Sequence, residues 1–110
     1  MKKHQLLTAL LFLGAALAAY AADAQANWDE QCAKCHGADG KGQTKMGKKL
    51  NIRDFADAKM QAEFTDEQAF ITIKEGLTDK NGKTTMKAIE GLTDAEMKAL
   101  VPIVRSFAKK

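Results

Sequence analysis

Three observations predict an all-α domain. Two capping boxes, Thr65-Asp66-Glu67-Gln68 and Thr93-Asp94-Ala95-Glu96, each open an apolar stripe at helical spacing. No run alternates apolar and polar residues as a half-buried strand would. Finally, Cys32-Ala33-Lys34-Cys35-His36 reads as chemistry carried on one turn, with two thiols followed at once by an imidazole.

The chain begins Met1-Lys2-Lys3-His4, a short basic stretch, and Leu6 to Ala19 is almost entirely apolar. That run is shorter than the roughly 20 residues a spanning helix needs. With Ala19-Tyr20-Ala21 behind it, it reads as a secretory signal peptide over 1–21, cut after Ala21. Ala24-Gln25-Ala26 is a second cleavage pattern and would move the cut to residue 26. Without a twin arginine, the general secretion route is expected, and the periplasm is the expected location. Residues 22–110 then form a single domain.

Export also weighs the charge. The full chain carries 17 Lys and Arg against 14 Asp and Glu; losing Lys2 and Lys3 leaves 15 against 14. There is no concentrated basic stripe with interleaved aromatics, so nucleic acid is not expected as a partner. A domain of this size buries little apolar surface and usually needs a disulfide, a metal or a cofactor to hold it. Cys32 and Cys35 are the only cysteines, so no disulfide framework exists.

The first helix is predicted from about Asn27 to Cys35, with Asn27 as N-cap and Asp29 and Glu30 complementing the dipole. Trp28 and Cys32 share a face. In Cys32-x-x-Cys35-His36, both thiols can form thioethers to the vinyl groups of one haem, and His36 then ligates the iron. Zinc would want four ligands, yet after these three only His4 remains, inside the signal peptide. A thioredoxin-like pair would follow a strand, and none precedes Cys32. A disulfide between such near neighbours would staple almost no chain.

Residues 37–64 read as loop-rich. Gly37-Ala38-Asp39-Gly40-Lys41-Gly42 is turn chemistry that should let the backbone pass close to the haem face. It follows a helix and lacks the G-K-[ST] ending, so it is not a phosphate loop. A short helix is expected over about 54–61. A third helix starts at the Thr65 box, buries Ala69, Phe70 and Ile73, and stops at Gly76. After the loop Lys80–Met86, the last helix starts at the Thr93 box with Leu92 and Met97 as a staple. Met97, Leu100, Val101, Val104 and Phe107 continue its stripe to about Ala108, with Pro102 expected to bend it.

Iron held by His36 needs a second axial ligand or an open site. Bis-histidine ligation is excluded within the exported chain, leaving Met46, Met60, Met86 and Met97. Met97 belongs to the buried stripe. Met46 lies only ten residues past His36, and Met60 falls in the expected short helix. Met86, 50 residues past His36 in an interhelix loop, has enough chain to reach the opposite face and is the favoured ligand. Met46 and Met60 stay open. A thioether favours ferrous iron and raises the potential.

These pieces resemble a small class I monohaem cytochrome c over nearly the whole exported chain. The matching stretches are Cys32-x-x-Cys35-His36-Gly37, Ala38-Asp39-Gly40-x-Gly42, Gly76, Gly82-Lys83-x-x-Met86, and Gly91-Leu92-Thr93-Asp94-x-Glu96 leading to Val104-Arg105-Ser106-Phe107. The resemblance implies an all-α fold with crossing N- and C-terminal helices, and a third helix and long loops wrapped around one covalent haem c. It further implies His36/Met86 ligation and one-electron carriage between larger redox proteins, with no enzymatic turnover, by a monomer. Two departures are plain. Lys87 follows Met86 where the family often has proline. The only proline is Pro102, so the carbonyl expected to accept from His36 Nδ1 must come from elsewhere, roughly between Gly47 and Arg53. Lys34, Lys41, Lys45, Lys48, Lys49, Lys83 and Lys87 gather near the haem loops and could steer acidic partners. The rival readings are a haem-based sensor or small haem enzyme with a labile sixth ligand, and an exported thiol–disulfide protein.

Overall fold

A computed structural model describes residues 23–108; the predicted signal peptide 1–21 lies outside them. Helix α1 covers 23–31 and α2 Ala33–His36; α3 is Lys45–Lys49 and α4 Ala58–Gln61. Helix α5, Asp66–Glu75, is followed by a hairpin of β1, Leu77–Thr78, and β2, Thr84–Met86, and then by α6, Asp94–Ser106. The all-α class holds, and no helix among the described residues is long and apolar enough to cross a membrane.

The core lies where α1, α5 and α6 meet. Trp28, Cys32, Phe70, Ile73, Met97, Leu100, Val101 and Val104 form one buried cluster, with Leu100 sealed from solvent altogether. Both predicted capping boxes are present: Thr65 accepts from Gln68 N and Thr93 from Glu96 N, while the Gln68 and Glu96 side chains reach back to the caps. Gly76 ends α5 as expected. Helix α6 runs through Pro102 and stops at Ser106, slightly short of Ala108.

Four expectations are corrected. The first helix does not start at Asn27: it already runs from 23, through the alanines upstream, and Asn27 sits inside it rather than capping it. It is also interrupted at Cys32, a turn residue from which α2 restarts. The loop-rich stretch contains α3, capped by Thr44, and the expected short helix is trimmed to Ala58–Gln61, capped by Asp57. Last, strands do occur. Strands β1 and β2 pair antiparallel, Leu77 opposite Met86 and Thr78 opposite Thr84. Two and three residues are too few to write a period-of-two signal.

A buried polar network ties the middle of the chain to α6. Gln61 Nε2 donates to Phe55 O and Val104 O, both at 2.8 Å. Arg105 in turn donates to Gln61, to Phe64 O and to Asp66, while lying over the Phe64 ring. These bonds fix the 54–66 segment against the last helix and so set where Phe55 stands.

Candidate functional site

The C-x-x-C-H turn forms because α1 delivers it onto the core. Cys32 N donates to Trp28 O at 2.9 Å and His36 N to Cys32 O at 2.9 Å, so helical bonding carries on across the interruption. Cys32 is buried, whereas Cys35 is only half-buried, and both are free thiols. Burial, with Cys35 adding to it, pushes the Cys32 thiol up to about 11. A thiol so rarely ionised near neutrality is a poor nucleophile, which argues against a thiol–disulfide role. Among the described residues there is no group of three or more His, Cys, Asp or Glu placed to hold a metal ion.

His36 is held between two aromatic rings. Its ring stacks on Phe55 at 5.1 Å with planes 16° apart, and Trp28 approaches at 5.6 Å. Trp28, 2% exposed, donates its indole N–H to Gly37 O at 3.1 Å, which pins the residue directly after the imidazole. Burial lowers the pKa of His36 and favours the neutral imidazole, the form that can ligate iron. Its Nδ1 is buried with no hydrogen-bond partner, so the carbonyl expected between Gly47 and Arg53 does not reach it. An orphaned ring nitrogen inside an aromatic pocket is costly unless the ring has other chemistry to do. Such a neutral, aromatic-walled imidazole fits a ring whose other nitrogen, Nε2, is free to ligate a metal.

The glycine-rich turn also meets the C-terminal helix end. Gly40, at φ 71°, faces the Phe107 ring; a Cβ there would fall 2.6 Å from Phe107 Cγ. Phe107 in turn packs on Trp28 at 5.1 Å. Helix α3 packs on α2: Thr44 Oγ1 donates to Cys35 O at 2.7 Å, and a Cβ on Gly47 would fall 2.6 Å from that same oxygen. Lys45, Lys48 and Lys49 thereby come onto the side of the molecule that carries Cys35, exposed like Lys34.

The candidate methionines separate. Met97 is core, 4% exposed, as expected. Met46 and Met60 are half-buried in α3 and α4. Met86 ends β2 and, with Leu77, Thr84 and Ile89, lines a cavity of about 670 Å³ that Gln31, the residue before Cys32, also borders. Leu77 is a large apolar side chain left 51% exposed there. Glu75, Thr78, Lys87 and Glu90 line the same cavity, so the wall around Met86 mixes apolar side chains with polar and charged ones. The contributions of Phe55, Gly37 and Leu77 went unseen in the sequence, because nothing local shows which ring His36 stacks on or where an indole N–H is aimed.

The family model for cytochrome c matches residues 21–107. Among solved structures, one described as "KustC0563 c-type cytochrome" is 40% identical with a TM-score of 0.66, covering 77% of this chain and 96% of its own. A tyrosine-to-phenylalanine mutant of Kustc0563 is also 40% identical, with a TM-score of 0.65 and coverage of 77% and 98%. No curated protein sequence matches the chain.

Proposed function

The chain belongs to the cytochrome c family, whose members carry covalent haem c, and from that premise we propose that it is an exported one-electron carrier ligated by His36 and Met86. The observation that carries this reading is His36 itself: neutral, wedged between Phe55 and Trp28, with a buried and unpartnered Nδ1, one residue past a cysteine pair spaced for thioethers. Bound haem supplies a one-electron couple, its iron cycling between ferric and ferrous. Cys32 and Cys35 hold the group covalently. Trp28, by fixing Gly37 O, limits how far the His36 backbone can drift. Met86 brings a neutral, soft sulfur that favours the ferrous state. With His36 and Met86 both holding the iron, oxygen or peroxide would find no free site there, which is the case against enzymatic turnover.

Export is supported by the basic-then-apolar N-terminus and its A-x-A pattern. Ala24 is 2% exposed in the core, which favours cleavage after Ala21 over cleavage after residue 26, leaving 22–110 as one domain. Exposed Lys34, Lys45, Lys48 and Lys49 form a basic rim that suits acidic docking faces on larger redox proteins. Electron transfer to such partners should slow as salt rises, within the range where surface charges are screened.

The test is the absorption spectrum of protein recovered from the periplasm, ferric and then reduced with dithionite, with carbon monoxide added last. A low-spin c-type spectrum that carbon monoxide does not shift is expected. A high-spin spectrum that shifts would overturn the carrier reading in favour of sensing or catalysis, and a colourless protein would overturn haem attachment.

A further inference from the structure

The segment bearing Met86 has little packing to hold it. Leu77 opposite it is half-exposed, Thr84 is exposed, and the strands are only two and three residues long. Two isolated strands of that length do not hold register by themselves. Something else must place residue 86.

Two pins are visible. The first is at the base, where Gly76, at φ 80°, lets the Met86 backbone cross: a Cβ there would fall 2.6 Å from Met86 O and 2.8 Å from Ala88 N. Just beyond, Ile89 N donates to Ile73 O at 3.0 Å. The second pin is the turn. Asp79 Oδ1 accepts from both Asn81 N and Lys83 N at 2.9 Å, Asp79 N donates to Lys83 O at 2.9 Å, and Gly82 N donates to Asp79 O at 3.0 Å. The carboxylate supplies two of these four bonds, to Asn81 N and Lys83 N, and the Asp79 backbone the other two. The next residue, Thr84, begins the strand that ends in Met86.

We propose that Asp79 is a positioning residue for Met86: its carboxylate locks the turn that fixes the hairpin register and holds the thioether at the iron. This rests on Met86 being the axial ligand. Losing the carboxylate frees two backbone N–H groups and lets the turn open, so Met86 spends more time displaced. An external ligand then binds with an affinity set by the displaced fraction. Asn keeps an oxygen at the Oδ1 position and should preserve the turn.

The experiment is a titration of the ferric holoprotein with imidazole, which competes for the sixth position. Asp79→Ala should bind imidazole about tenfold more tightly than wild type, the size expected from losing two hydrogen bonds to backbone N–H groups. Asp79→Asn should match wild type. Met86→Ala should bind imidazole most tightly and lack the ferric Met–iron charge-transfer band. Thr65→Ala, which strips the cap of α5 away from the hairpin, should lower the melting temperature without moving imidazole affinity; a merely structural role for Asp79 predicts the same of Asp79→Ala. Wild-type affinity in Asp79→Ala, with the band lost in Met86→Ala, overturns the role of Asp79 and leaves the ligand standing. A band that survives Met86→Ala overturns both. If Asp79→Ala yields no holoprotein, Asp79→Glu, whose longer side chain cannot set an oxygen where Oδ1 stands, should show the same tightening, and wild-type affinity there also overturns the proposal.

Discussion

The two sides of this molecule that bear the candidate axial ligands are built by different physics. The His36 side is jammed: Trp28, Leu100, Val101 and Val104 are buried, Gly40 lies on Phe107, and α3 sits against Cys35 O with no room for a side chain at Gly47. The Met86 side is a short hairpin with an exposed leucine, kept in shape by turn hydrogen bonds. Close packing permits few alternative positions, whereas a handful of hydrogen bonds near solvent can open locally at small cost. A ligand that stays put and a ligand that can yield thus follow from where each sits.

The largest expected effect concerns the attachment turn. Replacing both Cys32 and Cys35 by Ala should abolish covalent haem completely, read as loss of haem stain on a denaturing gel. The next sharpens the comparison directly. Leu100→Ala, in the jammed half, should cost about 2–5 kcal/mol, whereas Leu77→Ala, half-exposed at the hairpin, should cost under about 1 kcal/mol, both from denaturant unfolding of the holoprotein. Equal costs would break the distinction between the two halves.

The smallest effect is electrostatic and sits between α1 and α6. Hydrogen bonds from the Thr93 backbone foremost, then from the Thr93 and Asn27 side chains, hold the Glu96 carboxyl below its ordinary value. The folded state therefore binds fewer protons there than the unfolded chain. The stabilisation is complete above the ordinary value of 4.5 and is lost as pH falls through the lowered one. Glu96→Gln should flatten the acid limb of stability against pH while keeping the cap; an unchanged limb would remove Glu96 from the account.

How much of this was legible in the sequence follows the same divide. Thr65, Thr93 and the Met97–Val104 stripe wrote their helices locally, and Cys32-x-x-Cys35-His36 declared its chemistry by spacing alone. Helix α3 was invisible because its support is remote: Thr44 Oγ1 bonds Cys35 O, nine residues back. The hairpin was invisible because its strands are shorter than any period they could show. Phe55, positioned by Gln61 and, through it, by Arg105, 44 residues beyond Gln61, could be tied to His36 only in three dimensions.

The central claim is that Met86 alone faces His36 across the iron. Proton NMR of the ferrous protein tests it most directly, because a methyl group held over the haem face is shifted far upfield by the ring current. The account predicts one such three-proton signal, lost in Met86→Ala and retained in Met46→Ala and Met60→Ala. A signal that survives Met86→Ala and disappears in either of the others would contradict it.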